Sequence, residues 1–237
     1  MVVFPSKDIA VNQALSAGRA SKMSSLLWLK MMHNFYLDQN RMQAFETAVL
    51  SLQDAAFANP FFFTETEIQL LRREARALPF RQAQPLVGKN VYQDFSVCFP
   101  APLENSFKMS ALMLEQACHI IAREHQGLFE SEVKINDFAA QNYPTHSRGI
   151  GIHKDGERYR NLVFIITLDG KSDLFVCSGR EGSDRQVVPD EPGRLVMLPA
   201  PGLAFLDQAD RRPLHGVDNV VGGRLSIGLR QEQDQSA

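Results

Sequence analysis

Residues 161–178 read NLVFIITLDGKSDLFVCS, two apolar runs rich in β-branched and aromatic side chains on either side of Asp169-Gly170. Such runs favour strands, and an Asp-Gly pair between them is typical of a turn. The same alternation of short strand and turn continues from about residue 133 to residue 230. The further predicted strands are KINDFAAQNY, RGIGIH, RQVVP, GRLVMLP, GLAFLDQ and GRLSIGLR. Short strands at this spacing predict an antiparallel sandwich or jelly roll.

The first half of the chain has a helical pattern instead. Residues 8–56 are rich in Ala, Leu, Met and Gln, and their apolar residues recur at three- and four-residue steps. Thr64 and Glu67 form a capping-box pattern that predicts a helix over 65–78, and residues 106–126 carry the apolar stripe of a longer helix. The predicted fold class is therefore α+β, with a jelly-roll core and with N-terminal and flanking helices.

The change in pattern predicts two parts of the chain. Residues 1–60 are predicted to be a helical N-terminal extension, and residues 61–237 to be the domain that contains the jelly roll. The extension carries a bulky, Met-rich apolar stripe that predicts either core packing or a homodimer contact through these helices; it consists of Met23, Leu27, Trp28, Met31 and Met32. Residues 81–104 predict extended segments or a hairpin around Gly88-Lys89-Asn90.

Composition excludes several classes of protein. The net charge is −2 and the pI is near 6.3, so no global field would draw the chain to nucleic acid or to an anionic membrane. No apolar run reaches the roughly 18 residues that a membrane span requires. Cys98, Cys118 and Cys177 form no C-x-x-C pair, which predicts neither a disulfide framework nor a zinc knuckle and favours the cytoplasm. Residues 1–37 hold few acids and several Ser, Lys and Arg, so a transit peptide stays open as an alternative.

His153 and Asp155 are the strongest candidates for a metal site. On an extended segment, residues i and i+2 point to the same side, so the imidazole and the carboxylate converge while Lys154 points away. A third ligand must come from another strand, and His215 in RRPLHGV is the obvious donor. Two His and one carboxylate leave iron positions free for a bidentate 2-oxo acid and for dioxygen. H-x-D alone is common by chance, so two ordinary hydrogen-bonded histidines stay open as the alternative.

A second group of polar residues follows nine positions after His215. Arg224, Ser226, Gly228 and Arg230 alternate with three apolar residues and therefore share one face of a strand. A guanidinium beside a hydroxyl is a good receptor for a carboxylate, because its fork donates two parallel charge-assisted hydrogen bonds. Two arginines inside a jelly roll would be costly without an anion, so the pattern predicts a carboxylate ligand. The alternative is that this face lies outward in solvent.

The chain from about Asn136 to Arg230 resembles the double-stranded β-helix (jelly-roll or cupin-like) core of the Fe(II)- and 2-oxoglutarate-dependent oxygenases, and it most resembles their AlkB branch. The stretches that carry the resemblance are NDFAAQNYPTHSRGIGIHKDGE, NLVFIITLDGKSDLFVCS, GRLVMLPAPGLAFLDQADRRPLHGV and GGRLSIGLR. Gln141-Asn142-Tyr143 matches the Asn-x-Tyr of that branch with Gln in place of Asn. The closing-strand pattern is matched by Arg224, Ser226 and Arg230.

The resemblance implies Fe²⁺ held by the two histidines and the aspartate, with 2-oxoglutarate and O₂ as co-substrates. It implies that Arg224 and Tyr143 hold the distal carboxylate of 2-oxoglutarate, with Ser226 as a further donor. Arg230 would lie near the carboxylate beside the keto group. Gln141 departs from the pattern and weakens the contact expected there.

Three functions stay open at this point. The first is hydroxylation of a C–H bond in a small-molecule or amino-acid-like substrate, with release of succinate and CO₂, and the near-neutral charge favours it over nucleic acid. The second is oxidative demethylation of alkylated nucleic-acid bases, which the AlkB likeness favours. Candidates for phosphate contact would be Lys89, Arg148, Lys154, Arg158 and Arg160. The third is a non-catalytic, cupin-like binding protein, against which the complete ligand set argues. Gly149, Gly151, Phe164 and Phe205 would suit a pocket near the metal, or core packing.

Overall fold

The computed structural model describes residues 34–88, 90–204 and 212–233. Within these residues, two antiparallel sheets of six strands each form the core of the protein. Among the described residues, three whole helices accompany them: α1 (Gln39–Ser51), α2 (Glu65–Arg76) and α3 (Asn105–Glu124). The strands are β1 (Arg81–Gln82), β2 (Leu86–Val87), β3 (Val91–Asp94), β4 (Ser96–Cys98), β5 (Asp137–Tyr143), β6 (Gly149–His153), β7 (Tyr159–Gly170), β8 (Asp173–Cys177), β9 (Gln186–Val188), β10 (Val196–Pro199), β11 (Leu214–Asp218) and β12 (Arg224–Glu232).

The order of the strands is that of a jelly roll. One sheet has the order β1-β4-β5-β12-β7-β10 and is called here the helix-covered sheet; the other, called the minor sheet, has the order β2-β3-β6-β11-β8-β9. From β5 to β8 successive strands alternate between the sheets, and β10, β11 and β12 do so again. This topology confirms the predicted α+β class with a double-stranded β-helix core.

The alternation along β12 decides which side chains enter the space between the sheets. Leu225, Ile227 and Leu229 are at most 4% exposed and belong to the apolar cluster shared with the helices. Their neighbours Arg224 and Ser226 therefore point to the opposite face, toward the minor sheet, and are 3% and 1% exposed. The alternative that this face lies outward in solvent is wrong.

The helices follow their sequence signals closely. Thr64 and Glu67 form the predicted capping box, and α2 ends at Arg76, two residues before the predicted end. In α1 the buried ring of Phe45 lies 5.5 Å from that of Phe62 and 6.4 Å from that of Phe164 on β7, measured between centroids. The described residues before 60 thus pack on the helix-covered sheet.

The boundary at residue 60 and the homodimer contact stay predictions. Residues 1–33, with the Met-rich stripe, lie outside the described residues. No helix among the described residues is long and apolar enough to cross a membrane.

Two strand predictions need correction. GLAFLDQ was expected to be a strand, but of its described residues Leu203 forms an isolated bridge with Phe129 and Ala204 lies outside any strand. Conversely, the apolar pattern did not predict β11 (Leu214–Asp218), because Pro213 and Gly216 interrupt its short run. Only the expectation of a third ligand from another strand placed His215 on a strand. The predicted hairpin around residues 88–90 is confirmed by the pairing of β2 with β3.

Candidate active site

The predicted metal ligands converge between β6 and β11 of the minor sheet. His153 ends β6 and is the Cα partner of His215 on β11, while Asp155 follows β6 by two residues. One ligand atom from each of the three lies within 4.8 Å of the other two. Asp155 Oδ2 is 3.6 Å from His215 Nε2, and the two imidazole centroids are 4.3 Å apart. This geometry is suited to one ion between two imidazoles and a carboxylate.

Both imidazoles are oriented by a backbone carbonyl two residues earlier. The Nδ1 of His153 lies 2.8 Å from the carbonyl oxygen of Gly151, and that of His215 lies 3.1 Å from the carbonyl oxygen of Pro213. A carbonyl can only accept, so each Nδ1 must carry the proton and each Nε2 keeps its lone pair. The second ring nitrogen of each histidine is thus available as a metal ligand.

His153 is also neutral under ordinary conditions. Desolvation, and then the neighbouring His215, lower the pKa of His153 to about 4. A neutral imidazole is the form that binds a metal, so the site does not have to release a proton from His153 near neutral pH.

Gly149 begins β6, next to a bulge that precedes His153. His215 pairs with His153, but Val217 pairs with Ile150, so two residues along β11 match three residues along β6. Gly149 has a φ of +82°, and a Cβ on it would lie 1.7 Å from the carbonyl oxygen of Val217. Glycine is therefore required at this position, where the bulge sets the local course of β6 before His153.

A cavity of about 90 Å³ lies between the two sheets, with His153, Asp155 and His215 in its wall. Its other polar lining residues are Gln141, Tyr143, Arg224, Ser226 and Arg230, and the remainder is largely apolar. A single water molecule needs a cavity of only about 10–15 Å³, so this cavity can hold a small solute. The structure thus brings the predicted co-substrate residues and the predicted metal ligands to one cavity.

Arg224 already has a buried carboxylate partner within the protein. Its Nη2 donates to Asp190 Oδ2 at 3.0 Å and to Thr167 Oγ1 at 2.9 Å, and its Nη1 donates to Ser226 Oγ at 2.5 Å. The Nε atom is buried and has no hydrogen-bond partner among the described residues. The premise that this arginine would lack an internal anion is therefore wrong, although one of its donors is still available to a ligand.

Arg230 is paired in a similar way. Its Nε donates to Asp137 Oδ1 at 2.6 Å, and its guanidinium carbon lies 4.8 Å from the ring centroid of Tyr159. Asp137 is the Cα partner of Arg230 on the neighbouring strand β5 and is 5% exposed. Sequence reasoning missed both Asp137 and Asp190, and no motif marks either of them.

Tyr143 and Gln141 line the cavity from β5, opposite Arg224 and Ser226 in register. The phenol of Tyr143 donates to Gln141 Oε1 at 3.1 Å. Burial raises the pKa of Tyr143 to about 12, partly offset by Arg224, so the phenol remains a donor at neutral pH.

A wider, open cleft of about 790 Å³ is also lined by His153 and Asp155. Its further lining residues are Val91, Lys154, Gly156, Glu157, Arg180, Arg212 and Leu214. Arg212 supports the ligand segment, since its Nη1 donates to the backbone carbonyl of Asp155 at 2.7 Å. The predicted ligands His153 and Asp155 thus line both a small inner cavity and a cleft that reaches solvent.

Not every residue expected near the metal lies there. Phe164 is fully buried in the cluster under the helices, and a Cβ on Gly151 would meet the ring of Tyr92 at 3.1 Å. For Phe164, core packing is the correct interpretation, whereas Gly151 lies beside the predicted metal ligand His153 through its carbonyl oxygen. Phe205 lies outside the described residues.

Comparison with known proteins supports the fold. No protein-family model and no curated protein matches this chain. Among solved structures, a Pseudomonas putida prolyl-4-hydroxylase is similar with a TM-score of 0.57 and 15% identity, over 80% of this chain and 99% of that chain. A Trichoplax adhaerens prolyl hydroxylase, in complex with a peptide fragment of the hypoxia inducible factor oxygen degradation domain, has a TM-score of 0.57 and 16% identity, over 83% of this chain and 92% of that chain.

A third similar structure is an oxidoreductase of the 2OG-Fe(II) oxygenase family from Burkholderia pseudomallei, with a TM-score of 0.54 and 15% identity over 83% of this chain and 92% of that chain. At these identities the likeness establishes a shared jelly-roll fold. None of these three neighbours is described as an AlkB protein, and that finer likeness is not confirmed.

Proposed function

We propose that this chain is an Fe(II)- and 2-oxoglutarate-dependent dioxygenase that hydroxylates a C–H bond of a small-molecule or amino-acid-like substrate and releases succinate and CO₂. The observation that carries the proposal is the convergence of His153, Asp155 and His215 beside a cavity lined by the buried Arg224. A jelly-roll fold shared with prolyl hydroxylases supports it as an analogy of fold.

The donor set fits ferrous iron. Two imidazoles and one carboxylate on neighbouring segments form a triad that leaves coordination positions open, which is the pattern of non-haem Fe(II) oxygenases. His153 and His215 present Nε2, and Asp155 presents a carboxylate oxygen. When bound here, iron would supply the activation of dioxygen that couples decarboxylation of 2-oxoglutarate to hydroxylation.

The inner cavity fits a dicarboxylate. The buried Nε of Arg224 has no partner among the described residues, and a carboxylate oxygen would satisfy it. Tyr143 keeps its proton and lines the same cavity, and its hydroxyl would turn from Gln141 Oε1 to donate to a bound carboxylate. Ser226 orients the guanidinium through Nη1, and Arg230 would lie near the carboxylate beside the keto group.

The protein's own contribution is orientation and exclusion of water. Apolar side chains from both sheets enclose the cavity, among them Val163, Ile165, Leu174 and Val217. In such surroundings the ion pairs and hydrogen bonds that hold a bound dicarboxylate are stronger than in water. The substrate would approach from the open cleft that His153 and Asp155 also line.

Oxidative demethylation of alkylated nucleic-acid bases is the second candidate, because of the AlkB likeness in the sequence. Several arginines considered as phosphate contacts have partners within the chain. Arg158 pairs with Glu232 at 2.9 Å, Arg160 lies 3.9 Å from Glu130, and Arg148 stacks over Tyr92. A site that holds phosphates needs cations left for them, so these contacts favour the small-molecule or amino-acid-like substrate. Lys89 lies outside the described residues.

A non-catalytic, cupin-like binding protein is the third candidate. The ligand set is complete and both imidazoles are oriented for a metal, which favours an enzyme. A cytoplasmic location and a homodimer through the N-terminal helices are further proposals from the sequence. The free thiols Cys98, Cys118 and Cys177 are compatible with a reducing compartment.

A substrate screen tests the proposal and separates the first two candidates. The protein would be supplied with Fe²⁺, 2-oxoglutarate and air, and succinate would be measured with pools of amino acids, short peptides or methylated oligonucleotides. We expect amino-acid-like compounds to stimulate succinate formation, with a hydroxylated product 16 mass units heavier. Stimulation by methylated oligonucleotides alone, with release of formaldehyde, would establish the second candidate instead. Metal binding without succinate in any sample would favour the third.

A further inference from the structure

Asp190 is a buried carboxylate whose role the iron and co-substrate residues do not explain. It lies in the connection from β9 to β10 and is 9% exposed. Its Oδ2 accepts from Arg224 Nη2 at 3.0 Å and from Thr167 Oγ1 at 2.7 Å. Thr167 lies on β7 and Arg224 on β12, so a residue from a loop holds together two neighbouring strands on the inner face of the helix-covered sheet.

The contacts of Arg224 are divided between protein and cavity. Asp190 and Thr167 bind Nη2, and Ser226 binds Nη1. Nε is buried without a partner among the described residues, in a side chain that lines the inner cavity. A carboxylate entering the cavity would therefore bind a guanidinium whose charge is already balanced on one side.

The neighbouring acid shows that this pairing is specific to Asp190. Glu191 is half exposed and its Oε1 lies 2.8 Å from Nε of Arg194. Arg194 also stacks over Phe61, a residue that is 61% exposed. Of two consecutive acids, one thus pairs with the cavity-lining Arg224 and the other makes an exposed ion pair. This makes Glu191 a matched control for the removal of one negative charge.

We propose that Asp190 is an internal counter-ion that shares Arg224 with the distal carboxylate of 2-oxoglutarate, and that it thereby weakens co-substrate binding and sets its concentration range. The inference rests on the proposed function, since it assigns a ligand to the same cavity. Asp190 is a positioning residue in this account, because it acts through Arg224 and touches no reacting atom.

Electrostatics determines whether the charge of Asp190 raises or lowers the affinity for the dicarboxylate. Without a ligand, Asp190 neutralises a cation that would otherwise be buried and uncompensated, which is strongly unfavourable. With the ligand bound, two carboxylates lie on one guanidinium and repel each other across a medium of low polarity. Removal of the charge of Asp190 should therefore destabilise the ligand-free protein and strengthen binding of the dicarboxylate. A purely structural role would predict the loss of stability without the gain in affinity.

The test measures binding of 2-oxoglutarate by calorimetry, with the full chain loaded with Mn²⁺ in place of iron so that no turnover occurs. In Asp190→Asn an amide oxygen can still accept from Thr167 and Arg224 while the charge is removed. We expect its Kd for 2-oxoglutarate to fall on the order of tenfold and its thermal midpoint without ligand to fall. Glu191→Gln should leave both quantities as in the wild type. An unchanged or higher Kd for Asp190→Asn would overturn the inference and leave the proposed function standing.

A second measurement uses the wild type alone and does not depend on the folding of a variant. The ligand 2-oxopentanoate has the chain of 2-oxoglutarate without the distal carboxylate. Since Asp190 still balances Arg224 when this ligand binds, we expect affinity to fall by less than about a hundredfold. If Arg224 were left without a counter-ion, the affinity would fall by more than that factor. A larger loss of affinity would therefore contradict the proposal that Asp190 and the ligand share Arg224. If Mn²⁺-loaded wild type binds neither ligand, the proposed function fails and the inference with it.

Discussion

His153 and His215 face each other across β6 and β11 as Cα partners, with imidazole centroids 4.3 Å apart. Each ring is held by the carbonyl two residues before it, at Gly151 and at Pro213. The two strands therefore present two equivalent Nε2 atoms, and Asp155 adds the carboxylate from the segment that follows β6. The geometry of the proposed metal site thus depends on strand register as much as on residue type.

Removal of any one metal ligand should abolish tight metal binding. For His153→Ala, Asp155→Ala and His215→Ala we expect the Kd for Fe²⁺ or Mn²⁺ to rise by more than about a hundredfold, because even supporting residues around a metal site contribute ten- to hundredfold. Calorimetry under anaerobic conditions measures this. His119→Ala is the control, since His119 is exposed on α3, and it should bind metal as the wild type does. Wild-type affinity in all three ligand variants would rule out this site.

Arg224 should determine the affinity for 2-oxoglutarate and not the affinity for the metal ion. In Arg224→Ala we expect the Kd for 2-oxoglutarate to rise about a hundredfold or more, as for truncation of one partner in a buried charge pair, with metal affinity within about threefold of wild type. Arg224→Lys keeps the charge but loses the fork, so its effect should be intermediate. Arg76→Ala removes an arginine from an exposed pair with Asp169 and serves as the control. An unchanged 2-oxoglutarate dependence in Arg224→Ala would disprove the assignment.

Tyr143 should make the protein sensitive to alkali. Burial raises the pKa of Tyr143 to about 12, whereas an unfolded tyrosine titrates near pH 10. Between those values the unfolded chain loses the proton and the folded chain keeps it. The free energy of unfolding should therefore fall with rising pH, by about 2–3 kcal/mol in total from this group. In Tyr143→Phe this part of the fall should be absent in denaturant titrations between pH 9 and pH 12, and an identical slope in both proteins would contradict the burial of an ionisable phenol.

Gly149 should be intolerant of a side chain. A Cβ there would lie 1.7 Å from the carbonyl oxygen of Val217, and the φ of +82° adds strain. We expect Gly149→Ala to lower the free energy of unfolding by roughly 2–4 kcal/mol and to weaken metal binding, because the bulge immediately precedes the ligands. For Gly222→Ala, with no atom within 4 Å of the added Cβ, the change should stay within about 0.5 kcal/mol. Equal stability of the two variants in urea would show that the backbone of β11 does not approach Gly149 as closely as described.

The local rules of the sequence predicted much of the fold and part of the site. The capping box at Thr64 and Glu67 located the start of α2, and the alternation along β12 separated an apolar face from the face of Arg224 and Ser226. Periodicity sufficed in these cases because burial repeats with the period of the element. The spacing of His153 and Asp155 likewise predicted side chains that meet.

The partners of the two arginines could not be predicted in this way. Asp190 is 34 residues from Arg224, and Asp137 is 93 residues from Arg230. Asp190 reaches Arg224 from a loop, and Asp137 faces Arg230 through a strand pairing that only the sheet order reveals. No local pattern distinguishes such an acid from an exposed one such as Glu191. Charge balance inside the cavity is therefore a property of the tertiary structure.

The central claim is tested most directly by succinate formation from 2-oxoglutarate without added substrate. Wild type incubated with Fe²⁺, 2-oxoglutarate and air should form succinate slowly, and His153→Ala should form none above the iron-only background. Iron demonstrably bound to wild type, with succinate no higher than in His153→Ala, would contradict the assignment of this protein as a 2-oxoglutarate-dependent oxygenase.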